Sequence, residues 1–254
     1  MDAHAVPTHH RRMEVWQAIA LGAVFVAAGS VKGITGMGLP TVAMSLLGLW
    51  MAPTQAAALL IVPSLATNVA QCAGPHLRRL AALLWPAWAA LALTTLVAPG
   101  LGSAASGSGA RQLLGVVLVA YGLWGLWRPV VPALQPKAGW AGAAAGAVTG
   151  LVTAATAVFV IPFVPYLQAL RLDKDVMVQA LGLSFTVATV ALAARLHAAD
   201  QPWLPAPTAI ALLAAFAGLW LGSRVRARIS TIVFQRTLFV VFIGLGVANL
   251  LRGG

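Results

Sequence analysis

Acidic side chains are almost missing from this chain. It has five in 254 residues, Asp2, Glu14, Asp173, Asp175 and Asp200, and each falls in a tail or between apolar runs. That placement excludes a proton relay built on buried carboxylates, the usual reason for acids inside membrane helices. Cysteine occurs once, at Cys72, so neither an intramolecular disulfide nor a cysteine-rich metal centre can form. Charge of either sign is sparse, at 8% of residues, where a soluble domain carries about 25%. Long apolar runs fill the space: 60% of residues are hydrophobic and the mean hydropathy is +0.89. The chain therefore reads as an all-α polytopic membrane protein. Its net charge of +11 fits membrane topology signals and an anionic substrate. Nucleic acid is excluded as a partner, because no Lys/Arg run is interleaved with aromatics. No cofactor and no metal site is expected, and the lipid bilayer is the one certain surrounding.

Apolar segments fall at about 15–32, 39–51, 55–73, 82–100, 111–128, 138–155, 157–170, 176–196, 207–223 and 232–251. The polar dozen before them, with His4, His9 and His10, reads as a tail rather than a metal site. The first run extends beyond the apolar region of a cleaved signal and is read as the first membrane helix. Segments two and seven are too short for the ~20 residues of a straight span, so each reads as a half-helix or a short tilted crossing.

Between the first two segments lies Gly29 to Thr41, G-S-V-K-G-I-T-G-M-G-L-P-T. Glycine costs ~1 and proline ~3 kcal/mol inside a helix, so the helix breaks here. A broken backbone at membrane depth requires burial in protein or a water-filled cavity. A second copy follows. A-A-G-S-V-K-G-I-T-G-M-G-L-P from Ala27 aligns with V-T-G-L-V-T-A-A-T-A-V-F-V-I-P from Val148, matching Gly29 to Gly150, Val31 to Val152, Thr35 to Thr156 and Pro40 to Pro162. L-G-S recurs at Leu101 and Leu221, and Gly122 and Arg128 match Gly246 and Arg252. The chain divides into two homologous halves, 1–130 and 131–254, each with about five segments and a broken first helix. Five crossings per half invert the second half. With the N-terminus outside, ten cations fall inside. Five fall outside: Arg11, Arg12, Arg111, Arg195 and Arg252. The positive-inside rule favours this arrangement over one in which the first two segments of each half make a single crossing.

Three elements together resemble the sulfite exporter TauE/SafE family, also called the 4-toluenesulfonate uptake permeases. They are the glycine-rich break, V-P-S-L-A-T-N-V-A from Val62, and L-G-S-R-V-R-A-R-I-S followed by F-Q-R-T-L-F-V-V-F-I-G-L-G. The resemblance covers almost the whole chain and implies a multi-pass carrier of the bacterial inner membrane for small organosulfur anions, sulfite or sulfonates. Family members carry a glycine triplet in both breaks; here the second break reads T-A-A-T-A, without glycine.

Candidate substrate-binding residues cluster at the breaks and on the third segment of each half. Lys32 is a charge within an apolar run, costly unless functional; the bland alternative is a lysine snorkelling to the interface. Gly33, Thr35, Gly36 and Gly38 precede Pro40, where a new helix N-terminus would attract an anion, unless Gly33 and Gly36 serve only helix packing. Asn68 and Gln71 are carboxamides one turn apart that need partners. In the second half Thr153, Thr156 and Ser184 hold related places, along with Thr149 and Thr186; such hydroxyls also bond back to their own helix. His76 and Arg195 stand nearer segment ends, and the tryptophans read as interface anchors. The expected function is alternating access around a midplane anion site, with the coupling ion, H+ or Na+, left open. The alternative is a channel-like facilitator for small solutes. A hydrolase using Ser184 and His197 lacks the G-x-S-x-G surround, so the chain is not expected to be an enzyme.

Overall fold

A computed structural model of the chain describes residues 15–99, 108–127, 133–134, 139–198, 205–226, 228 and 230–253. The His-bearing tail, Asp2, Glu14, Arg11, Arg12, the first L-G-S, Arg128, Lys137, Asp200 and Trp203 lie outside these residues. The described residues form ten helices and no strand. They are α1 (Val15–Thr35), α2 (Leu39–Leu47), α3 (Pro53–Cys72), α4 (Leu77–Val97), α5 (Ser108–Trp127), α6 (Gly139–Thr156), α7 (Phe163–Ala169), α8 (Lys174–Ala198), α9 (Pro205–Val225) and α10 (Thr231–Gly253). Each coincides with one apolar segment of the sequence. Seven of them, all but α2, α6 and α7, are long and apolar enough to cross a membrane.

Both breaks fall where the alignment put them, and each turns the chain back on itself. From its tip at Met37, whose Sδ receives the Tyr121 hydroxyl at 3.8 Å, α2 descends alongside α5. Past its end, the Met51 carbonyl accepts from Arg111 near the start of α5, and the Trp50 ring lies 6.5 Å from that of Trp16 near the start of α1. So α1 and α2 form a re-entrant hairpin with both ends on one side. The second hairpin is closed at its base, where the N–H of Leu134, just before α6, donates to the Ala169 carbonyl at the end of α7 (3.0 Å). With 9 and 7 residues, at ~1.5 Å rise per residue, α2 and α7 are returning legs and not full spans.

Small residues decide which helices pair. Gly29 and Gly33 lie against the α9 backbone at Ala215, Leu219 and Gly222, while Gly218 and Gly222 lie against Val26 and Ser30. A side chain at any of these four would overlap a facing carbonyl oxygen, so the two backbones touch, as membrane helices do where small residues recur at i and i+4. Residue numbers rise together along this contact, so α1 and α9 run parallel. On α6, Gly146 meets Ala87 and Gly150 meets Leu91 and Thr94 of α4, again in parallel. In contrast, Gly115 meets Gly246 and Leu250, and Gly122 meets Phe239 and Ile243, so α5 and α10 run antiparallel. On the fourth contact Gly182 of α8 meets Gln71 and Cys72 of α3. All four pairs join a helix of residues 1–130 to one of residues 131–254. The two stretches are interleaved and do not form separate lobes.

The two tips use one local device. Thr35 Oγ1 donates to the Val31 carbonyl (2.9 Å) and accepts from the Met37 N–H (3.3 Å); Thr156 Oγ1 donates to Val152 (2.7 Å) and accepts from Val158 (3.2 Å). Each helix is thus ended by its last threonine, whose hydroxyl takes the N–H that the broken helix would leave unsatisfied. The next residue then enters the left-handed region, Gly36 at φ 81° and Ala157 at φ 56°. The glycine that the second break lacks is replaced by an alanine in the same backbone state, at a cost of ~1–2 kcal/mol. Gly38, at φ 100°, completes the shorter first turn.

A stability comparison follows. A Cβ at Gly36 would meet nothing closer than Gln71 Nε2 at 3.8 Å, whereas one at Gly38 would lie 3.2 Å from Val31 Cγ1. Gly36→Ala should fold and lose only the conformational ~1–2 kcal/mol. Gly38→Ala should lose more, since steric crowding adds to strain. Thermal unfolding of the two purified variants in detergent measures the order; equal losses would contradict it.

Candidate functional site

The site grows from the last turn of α1. Lys32 is fully enclosed, 2% exposed, although it sits only three residues from the helix end. It does not snorkel. It faces α3, where Ser64, Thr67, Asn68 and Gln71 recur at helical spacing on one face. Lys32 Nζ donates to Thr67 Oγ1 at 3.0 Å and to Asn68 Oδ1. Thr67 is free to accept because its own proton points to the Pro63 carbonyl (2.7 Å). An ammonium has three donors, and among the described residues the third has no partner. Neither described acid is near: Asp173 and Asp175 are exposed at the start of α8. The lysine is held by neutral oxygens alone.

The polar atoms around it are incompletely satisfied. Ser64 Oγ, Asn68 Nδ2 and Gln71 Oε1 are buried without a partner, as is Thr41 Oγ1 in the first turn of α2. Leaving one such group unpaired costs about 1–3 kcal/mol, so several on one helix face mark a place for a ligand. Gln71 also ties the cluster to the first tip, its Nε2 donating to the Gly36 carbonyl at 2.7 Å. Burial loosens towards the ends of the helices, where Gly36, Gln71 and Cys72 are only partly covered. The cluster therefore lies close to the end of α1 and the end of α3, where the packing loosens.

The structure brings Lys32, Gly36, Asn68 and Gln71 together and distributes the other candidates. Gly33 is spent on the contact with α9, the packing alternative. Thr35 and Thr156 build the tips, and Gly38 supplies the left-handed residue before α2. Thr153 Oγ1 donates back to Thr149 (2.7 Å), and Ser184 Oγ donates back to Ala180 (2.7 Å) while accepting from Trp88 Nε1 (2.9 Å). In this conformation the hydroxyl protons of Thr35, Thr153, Thr156 and Ser184 are all committed to carbonyls. Thr149, one turn before Thr153, keeps a buried hydroxyl without a partner. Ser184 meets an indole and not His197, which is exposed, so the hydrolase pairing is not formed.

Ser64, Thr67, Thr41 and Gln179 were not among the sequence candidates. For the first two the available signal was their spacing with Asn68 and Gln71. Gln179 is structural: it donates to the Cys72 and Gly74 carbonyls (both 3.0 Å) and accepts from the His76 N–H (3.2 Å), fixing the α3–α4 turn against α8. Three arginines at helix ends also have structural work. Arg111 bonds the Met51 carbonyl, Arg252 that of Leu49, and Arg195 those of Thr95 and Leu96. Each satisfies carbonyls at or just past a helix end.

The sequence pattern of one known family, described as Sulfite exporter TauE/SafE, matches residues 21–249 of this chain. No curated protein and no solved structure matches it. The matched stretch takes in both hairpins except the first six residues of α1, the Lys32 cluster and all but the last residues of α10, and the chain belongs to the sulfite exporter TauE/SafE family of membrane transporters.

Proposed function

We propose that this protein is an inner-membrane secondary transporter that carries sulfite or a small sulfonate by alternating access, with the anion bound at Lys32, Asn68, Gln71 and Ser64. The observation that carries this reading is the buried ammonium without a carboxylate. An isolated charge in a protein interior is strongly disfavoured, and an anionic substrate supplies the counter-charge that the chain itself omits. An oxyanion also suits the surrounding donors, which are neutral and individually weak enough to release it.

The inverted-repeat organisation is part of this proposal, with halves 1–130 and 131–254 and the N-terminus outside. Three observations support it. The tips repeat atom for atom in Thr35 and Thr156, the equivalent helices α5 and α10 run antiparallel, and exchanging the halves turns the α1–α9 contact into the α6–α4 contact. Because each hairpin is locked to a helix of the other half, the halves do not rock as lobes. The moving bodies are mixed: α1 and α2 with α9, and α6 and α7 with α4. A cavity of about 310 Å³ lies beside the first tip, lined by Met37, Tyr121, Trp124, Gln168 and Phe239 among others.

Counterflow in proteoliposomes tests the function. Labelled sulfite or sulfonate should accumulate against unlabelled anion inside, with saturation, whereas a pore gives neither saturation nor trans-stimulation.

Two substitutions test the site. Lys32→Met removes the charge but keeps the apolar stem, so transport should be lost while stability is unchanged or raised by up to ~4 kcal/mol, since replacing a buried charge by a hydrophobe is often stabilising. Asn68→Leu leaves the ammonium with one partner fewer and should cost ~1–3 kcal/mol. A destabilised Lys32→Met with normal transport would give the lysine a structural role instead.

Cys72, the sole cysteine, lies one turn beyond Asn68 and is partly exposed. An anionic methanethiosulfonate reagent should modify it, and saturating substrate should slow that modification at least severalfold. Labelling at one rate with and without substrate would put the thiol off the transport path.

A further inference from the structure

We infer that the Lys32 site selects its ligand by charge and by hydrogen-bond polarity, taking a singly charged oxyanion that also donates a hydrogen bond, which for sulfite means hydrogensulfite and not the dianion. The inference rests on the anion site proposed above and names the form of substrate that the site accepts.

The charge argument begins with what faces Lys32. Helix α1 carries no other charge, α2 carries none, and α3 contributes only the Cys72 thiol. Helix α9 carries Arg224 in its last turn, its guanidinium 4.1 Å from the Trp220 ring centre; on α10 Arg236 is exposed and Arg252 bonds the Leu49 carbonyl. One enclosed ammonium balances one negative charge. A second negative charge on the ligand would be left uncompensated among neutral groups, the situation that interiors tolerate least.

The polarity argument comes from two amides whose orientations are fixed by partners of one kind. A carbonyl oxygen only accepts, so the Gln71 atom facing the Gly36 carbonyl at 2.7 Å is its amide nitrogen. Gln71 Oε1 is then the buried, unpartnered atom, an acceptor with nothing to accept. An ammonium only donates, so the Asn68 atom at Lys32 is the oxygen, and the unpartnered Asn68 Nδ2 is a donor. Ser64 Oγ, one turn earlier and also unpartnered, serves either way. The α3 face thus asks for a ligand that accepts from Lys32 and Asn68 and donates to Gln71. The O–H form of hydrogensulfite meets both demands. Fully deprotonated sulfite would set lone pairs against Gln71 Oε1, a repulsive element that discriminates against the dianion.

Binding to the purified protein in detergent, measured for sulfite and methanesulfonate across pH 6 to 9, tests this. Methanesulfonate matches the charge but not the donor, so it should bind more weakly than hydrogensulfite. It keeps a single charge throughout that range, so any pH effect of the protein itself, titration of Lys32 included, appears equally in its Kd. Sulfite passes from monoanion to dianion within the range. Its apparent Kd relative to that of methanesulfonate should rise about tenfold per pH unit on the alkaline side, the slope of a one-proton linkage. In Gln71→Met the hydrogensulfite affinity should fall severalfold relative to methanesulfonate, which has no proton to donate. A sulfite-to-methanesulfonate ratio constant with pH overturns the inference while leaving an anion site at Lys32. Binding of neither anion, or binding unaffected by Lys32→Met, overturns the proposed function and this inference with it.

Discussion

An ammonium enclosed by a protein needs a counter-charge, and neither described acid stands beside the buried Lys32. Much of the architecture is consistent with that one constraint. The Thr67 hydroxyl and the Asn68 amide oxygen point at the lysine, and the Pro63 carbonyl takes the Thr67 proton. The tip of the first hairpin is bonded into the same cluster through the Gly36 carbonyl. The scarcity of acids in the sequence and the lack of a carboxylate beside Lys32 are two aspects of one composition.

The backbone meets a second constraint at the tips. Chain reversal within the membrane region exposes N–H and C=O groups that water cannot reach, and each must find a partner inside the protein. Two threonines solve this twice with one geometry. Around that shared device the tips diverge. The first is three residues long, with two left-handed glycines beside a charged cluster. The second is longer and carries Val158, Phe159 and Val160, all buried. Two tips built on one threonine device therefore have chemically unlike surroundings.

The ten helices and both breaks were legible because they are written in local chemistry: apolar run length, Gly36 and Gly38 before Pro40, and an alignment that carried Thr35 onto Thr156. Lys32, Asn68 and Gln71 stood out as polar groups in apolar surroundings. Thr67 did not, because hydroxyls in membrane helices usually bond their own backbone, as Thr67 itself does, and nothing local marks one that also accepts from a distant lysine. Thr153, Thr156 and Ser184 follow the same habit. Partner choice is a long-range property, so the interleaving of the two stretches was missed. Its trace was nevertheless present, in Gly29 with Gly33 and Gly218 with Gly222, two i, i+4 pairs on helices far apart in sequence.

That pairing has a consequence in time. The helix bearing Lys32 ends at residue 35, and the helix against which its glycines close begins at residue 205, 170 residues later. At a synthesis rate of ~5–20 residues per second the interval is roughly 10 to 30 s. Throughout it α1 stands in the bilayer or against the insertion machinery with its glycine face uncovered. Such a chain matures only when its ninth helix arrives, and its quality control has to tolerate a long-lived, half-closed intermediate.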